Sequence, residues 1–334
     1  MCLDAVITEL KEYEGLKAKG DIQPIAKALK QAHPNPFCNG DDAAVIPMKN
    51  DQGFQLMCGE GFLQAFTEFD PWHAGWCSVM VNVSDIAAMG GRPTAMTNTY
   101  WGKDDLHSQK LYEGMAAASR AFQVPIVGGH TNLQSDDPHL AVTMFGHANE
   151  LLSSFAARPD QSIVMAVDLR GEYQKPFLNW NAATKAPPQQ LRMDYALLPK
   201  VAEQHLATSA KDISQAGTLG TVLMLLESAQ LGADIDLEKI PKPEEVALSD
   251  WLKTFPSFGF ILTCDGSLTP QLIKTFSDRS IACAQIGKTN SSKQLWVKQL
   301  EQRGLFWDLQ THPLTGFDQN QITNELSHQE VQYA

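Results

Sequence analysis

Residues 74–89 read Ala-Gly-Trp-Cys-Ser-Val-Met-Val-Asn-Val-Ser-Asp-Ile-Ala-Ala-Met, with one charged residue, Asp85. The run predicts a nearly all-apolar helix, stopped by Gly90-Gly91 and Pro93. A helix of this composition belongs in a core. Asp85 falls in its last turn and a half, against the negative end of the helix dipole, with Asn82 three residues earlier on the same face. Burying that carboxylate unpaired costs several kcal/mol, so it needs either backbone amides to accept from or a cation.

More acids stand at a predicted hairpin. Asp41-Asp42 precede Ala43-Ala44-Val45-Ile46-Pro47, and Glu60 follows Gln55-Leu56-Met57-Cys58-Gly59. Antiparallel strands at 43–48 and 54–58, joined by a turn at 49–53 with Met48 facing Phe54, put Asp42 opposite Glu60. Like charges facing across a ladder are destabilising, so this pairing also points to a bound cation.

The 334 residues exceed one ordinary core and predict two domains, 1–150 and 151–311, with a peripheral tail at 312–334. Hydrophobic content of 43% and charged content of 19% describe a globular protein. The net charge of −12 argues against nucleic acid and anionic membrane as partners. A metal or a helix N-terminus still lets an acidic protein hold an anionic substrate. No apolar run reaches the ~18 residues of a membrane span, and the N-terminus lacks the order of a signal peptide. The six cysteines form no Cys-x-x-Cys pair and several lie in apolar runs, which suits reduced thiols and a cytoplasmic setting.

Periodicity predicts a strand at 94–101, a helix at 105–122, and strands at 124–127 and 139–147, with a hinge at Arg158-Pro159-Asp160. The second half predicts strands at 162–168, 233–237, 257–264, 281–287 and 294–299. It also predicts helices at 194–206 and 217–231, and a long loop at 179–190.

Gly128-Gly129-His130-Thr131 reads as a turn after a buried strand, where two glycines admit a phosphate or carboxylate; taken alone, a Gly-Gly is a turn and a histidine a core residue. Lys211-Asp212-Ile213-Ser214-Gln215-Ala216-Gly217 precedes an apolar helix, with Ser214 placed to cap it; plain capping and a phosphate or metal role are both open. Residues 282–289 match a loose P-loop pattern, but the strand runs through the motif and no helix follows it.

In combination these segments resemble the aminoimidazole ribonucleotide synthetase superfamily, which includes thiamine monophosphate kinase, selenophosphate synthetase and the hydrogenase-maturation carbamoyl dehydratase. The resemblance rests on Gly40 to Ile46, on Asn82-Val83-Ser84-Asp85-Ile86-Ala87-Ala88-Met89-Gly90-Gly91, on Gly128 to Thr131, on Asp212-Ile213-Ser214, and on Gly232 to Asp236 with Ile240-Pro241. It implies an α/β (α+β) fold of two domains. The N-terminal sheet pairs with that of a second copy into a dimeric barrel, and the C-terminal domain is a mixed sheet with helices. It also implies ATP in a cleft, held through Mg²⁺.

Carried onto this sequence, the resemblance makes Asp42, Glu60, Asp85 and Asp212 metal ligands. Asp41, Gly128, Gly129, Thr131 and Ser214 become nucleotide contacts, and His130 and Asp212 catalytic groups. A mobile lysine of the family falls on Lys17 or Lys19. Departures matter too. The family Asp at the hairpin end is Glu60; thiamine monophosphate kinase has Asp where this chain has Gln215 and His130; the reactive cysteines of two relatives have no counterpart. The expected function is therefore ATP- and Mg²⁺-dependent activation or phosphorylation of a small metabolite by a homodimer. A thiamine monophosphate kinase-like phosphotransferase and a non-catalytic nucleotide-binding paralogue are the alternatives.

Overall fold

A computed structural model describes residues 2–32, 40–49 and 52–317. Five strands form the N-terminal sheet: β1 (Ala44–Pro47), β2 (Phe54–Gly61), β3 (Arg92–Lys103), β4 (Ile126–Asn132) and β5 (Gln134–Ala148). Their order is β1-β2-β5-β3-β4, antiparallel except for β3 beside β4. The parallel pair is joined by the helix Leu106–Phe122, as a parallel connection requires.

The apolar helix spans Pro71–Ala88, starting on Asp70, whose side chain accepts from the His73 amide. Its uniform composition has a direct cause. One side packs on the N-terminal sheet with Leu56 and Met144, and the same cluster includes Tyr195, Leu198, Phe258 and Phe260 from the second half. Two glycines bring this helix against its neighbour: a methyl group on Gly114 would lie 1.9 Å from the Trp72 carbonyl oxygen, and one on Gly75 2.0 Å from that of Leu111.

The second half holds a seven-stranded mixed sheet in the order Gln302–Asp308, Gln294–Gln299, Gly232–Asp236, Ala282–Asn290, Ser162–Val167, Gly259–Cys264, Ser209–Asp212. The P-loop-like residues lie within the strand Ala282–Asn290, and among the described residues no helix follows them. Helix Gly217–Ala229 is buried along its whole length.

Several expectations need correction. The hairpin register is Ala44 with Met57 and Pro47 with Phe54, one residue from the predicted pairing, so Asp42 does not face Glu60. Asp42 instead lies in the bend before β1. Residues 50 and 51 of the predicted turn lie outside the described residues. Gly128 to Thr131 are part of β4 rather than a turn after it. The predicted helix at 194–206 divides into Pro188–Tyr195 and Leu197–Glu203, and the predicted loop contains the strand Asn179–Asn181. The strand Gln302–Asp308 carried no clear periodic signal.

Domain limits shift for a physical reason. Helix Leu3–Glu12 buries Leu3, Val6, Ile7 and Leu10, a helical stripe that joins the second core with Val222, Ile261 and Phe306. Lys253 pairs with Glu9 at 2.7 Å and Gln302 accepts from the Leu3 amide at 3.0 Å. The first helix therefore packs with the second half. The start of the predicted tail is also not peripheral, because Leu314 is buried and the chain is fixed there by Glu227. Residues 318–334 lie outside the described residues.

Candidate metal and phosphate site

Asp41 and Asp42 are adjacent in sequence but do different work. Asp41 accepts from Ser153 Oγ (2.7 Å), Ser154 N (2.9 Å), Ser154 Oγ (2.7 Å) and the Asp42 amide (3.3 Å). Those bonds use both oxygens, so Asp41 ties the two halves of the chain together. Asp42 turns the other way, accepting from Lys211 Nζ at 2.5 Å and from the Asp212 amide at 3.1 Å.

Asp85 arrives from the end of the apolar helix and Asp212 from the end of an edge strand. One carboxylate oxygen from each of Asp42, Asp85 and Asp212 lies within 4.8 Å of the others. Asp85 Oδ2 is buried and has no hydrogen-bond partner among the described residues. Neither backbone amides nor a side chain compensates that oxygen. Hard cations take oxygen donors of this kind, so the residues fit Mg²⁺.

Electrostatics agree with the geometry. Burial pushes the Asp85 and Asp212 carboxyls well above the usual carboxylate range, and neighbouring acids add to the shift. Burial also raises Asp42, opposed by Lys211, and Glu60, opposed by Lys19. Burial disfavours the Lys211 ammonium, but the Asp42 and Asp41 carboxylates outweigh it and raise its pKa. A bound cation would favour the ionised carboxylates and oppose these upward shifts.

Two cavities meet over the acids. The polar one, about 380 Å³, is lined by Lys19, Asp42, Glu60, Asp85, Lys211 and Asp212. The second, about 170 Å³, shares Lys19, Glu60, Asp85, Asp212 and Ser214 and adds Phe62, Phe66, Phe177 and Phe255. Of the two candidate lysines, Lys19 lines both cavities, whereas Lys17 is paired with Glu12 at 2.6 Å. Ser214 Oγ accepts from the Ala216 amide at 3.3 Å, which shapes the turn into helix Gly217–Ala229.

The Gly128–Thr131 group lies elsewhere. β4 is the edge strand farthest from β1, four strand spacings or ~19 Å away. His130 is exposed with its ring 6.3 Å from that of Trp101, and Thr131 Oγ1 lies 3.0 Å from the Tyr112 hydroxyl. Neither these two nor Gly128 and Gly129 line the cavities. Within one copy of the chain the expected catalytic histidine is therefore apart from the acids, because its segment forms a strand edge. The sequence assigned no role to Lys211 or to Phe62, Phe66 and Phe255. A lysine next to a candidate ligand was the one available signal; the aromatic wall is assembled from distant segments.

Residues 40–148 match the AIR synthase related protein N-terminal domain, and residues 172–298 match the C-terminal domain. The chain belongs to the AIR synthase related family. An uncharacterized protein of Synechocystis sp. is 40% identical over 94% of this chain and 98% of its own length. Selenide, water dikinase of Myxococcus xanthus is 27% identical over 72% of each. Among solved structures, Thermotoga maritima PurL complexed with ADP superposes with a TM-score of 0.72 at 17% identity, covering 90% of this chain and 51% of PurL. AaThiL complexed with AMPPCP and TMP gives 0.64 at 19%, covering 87% and 97%. This AIR synthase-like fold is thus the fold of the present chain. Among the described residues no helix is long and apolar enough to cross a membrane.

Proposed function

We propose that this family member is an ATP- and Mg²⁺-dependent enzyme that activates or phosphorylates a small metabolite over the Asp42–Asp85–Asp212 cluster. The observation that carries the reading is the convergence of three acids within 4.8 Å, one with a buried unpartnered oxygen. Asp42, Asp85 and Asp212 would hold the ion, with Glu60 at the cavity wall. Bound Mg²⁺ neutralises a triphosphate and polarises its terminal phosphoryl group. Lys19 contributes a positive charge to the same cavity, suited to orienting a phosphate oxygen. The phenylalanine wall excludes water from one side of the acids and suits an apolar or aromatic part of a ligand. A relative solved with ADP and another solved with AMPPCP support a nucleotide as the phosphoryl source.

A homodimer belongs to the same reading. Met57 and Trp101 are exposed where Leu56 and Tyr100, their neighbours on the other face, are fully buried. Val127 on the free edge β4 is 64% exposed. A second copy covering this side would shield apolar surface and bring its own His130 and Thr131 into a shared groove. Light scattering should then give twice the chain mass.

Calorimetric titration with ATP tests the central reading. Binding with Mg²⁺, lost in EDTA and in Asp85→Asn, is the expected result; binding that ignores the metal refutes it. Turnover against a metabolite panel that includes thiamine monophosphate separates an enzyme from a non-catalytic nucleotide binder.

A further inference from the structure

The acid cluster already contains a cation, supplied by the chain. Lys211 is buried, with its side chain 5% exposed, and its Nζ lies 2.5 Å from Asp42 Oδ1 and 3.8 Å from Asp41 Oδ1. We propose that Lys211 is the second cation of this site, so that the three acids take one divalent ion rather than two when no nucleotide is bound. This rests on the metal-dependent reading above and sets the number of ions the protein itself holds.

The donor inventory supports it. A carboxylate offers about four lone pairs. Asp41 spends its set on Ser153, Ser154 and the Asp42 amide, so it has none to give to a metal. Asp42 spends one pair on Lys211 and one on the Asp212 amide, leaving one pair on each oxygen. What remains are those pairs, Asp212, and Asp85 with its unpartnered Oδ2. One oxygen from each acid, mutually within 4.8 Å, is the spread of a single coordination sphere completed by water. A second ion on the remaining pair of Asp42 Oδ1 would share that oxygen with the ammonium and be repelled by its charge. Lys211 has little alternative, because it is enclosed and Asp42 is its one hydrogen-bond acceptor among the described residues.

A lysine in this place differs from a metal in two respects. It cannot dissociate, so Asp42 stays aimed at the cluster in the ion-free protein. It also carries one positive charge instead of two, which leaves more of the negative field for the incoming metal–nucleotide complex. Lys211 is thus a positioning residue acting through Asp42.

The test is Mn²⁺ binding to the metal-free, full-length protein without nucleotide, with free Mn²⁺ counted by electron paramagnetic resonance. Wild type and Lys211→Arg should each bind one ion per chain at the cluster. Lys211→Met should bind a second ion, or bind the first more tightly by on the order of tenfold, because one more negative charge is uncompensated. A wild-type count of two, or a Lys211→Met variant unchanged in number and affinity, overturns the assignment and leaves the proposed function standing. A wild-type count of zero overturns both. Should Lys211→Met fail to fold, the wild-type count decides alone: one supports the assignment and two refutes it.

Discussion

Replacing Asp85 by Asn should stabilise the metal-free protein and destabilise the metal-loaded one relative to wild type. Asp85 Oδ2 has no partner among the described residues, and the charges acting on it are those of Asp212, Glu60 and Asp42, opposed in part by Lys211. Two full charges about 4.8 Å apart repel by roughly 3.5 kcal/mol at an effective dielectric constant of ~20. Proton uptake relieves much of that repulsion, and an isosteric amide removes the remainder while adding an N–H donor, a net gain of about 1–2 kcal/mol. In a protein of this length such a gain raises Tm by ~1.5–3 °C. In saturating Mg²⁺ the order inverts, because an ion at a hundredfold excess over its Kd stabilises wild type by ~2.7 kcal/mol and the variant by less.

The pH dependence has a definite sign. Burial raises the Asp85 and Asp212 carboxyls, so the folded metal-free protein binds protons that the unfolded chain has already released. Its stability falls as pH climbs from the ordinary carboxylate range through the raised values, and Asp85→Asn makes that fall shallower. Differential scanning fluorimetry in EDTA and in Mg²⁺, across that range, reads all three effects. An Asp85→Asn variant less stable than wild type in EDTA would refute the reasoning, because Asp85 would then be held by interactions within the protein.

Gly114→Ala puts a methyl group 1.9 Å from the backbone oxygen of Trp72, and a backbone atom cannot rotate away. The two central helices must separate, at a cost of about 2–3 kcal/mol, seen as a lowered urea midpoint. Glu227→Ala removes the acceptor for the amides of Leu314, Thr315 and Gly316 and for the Thr315 hydroxyl. Hydrogen bonds to a charged group contribute about 1.5–3 kcal/mol each, but the strap can swing into water, which caps the loss near ~2–4 kcal/mol. Limited proteolysis should therefore cut near 313–317 while the rest of the fold survives. Lys19→Ala should weaken nucleotide binding severalfold in calorimetry, whereas Lys17→Ala, which breaks surface pairs with Glu12 and Glu14, should leave it unchanged.

Much of the fold was legible because its signals are local. The helices at 74–89 and 105–122 and most strands follow from periodicity within a few residues, and the structure moves their ends by at most three positions, except for five at the end of β4 and at the start of β5. Errors arose where distant partners decide. Gly128-Gly129 suggested a turn, yet pairing with β3 draws the whole segment into a strand. The hairpin slipped by one residue because the turn was read from composition, while β2 is also held by β5.

The sequence by itself determined that a carboxylate would be buried at the end of an apolar helix, whereas the cation expected from Asp42 facing Glu60 lost its basis with the hairpin register. It could not tell Asp41 from Asp42, or Lys17 from Lys19. Tertiary structure made those choices. Asp41 is saturated by serines 112 and 113 positions away, and Asp42 is paired by a lysine 169 positions away. Local pattern records whether a side chain belongs in water or in a core; which lone pairs stay free is settled only when remote segments meet.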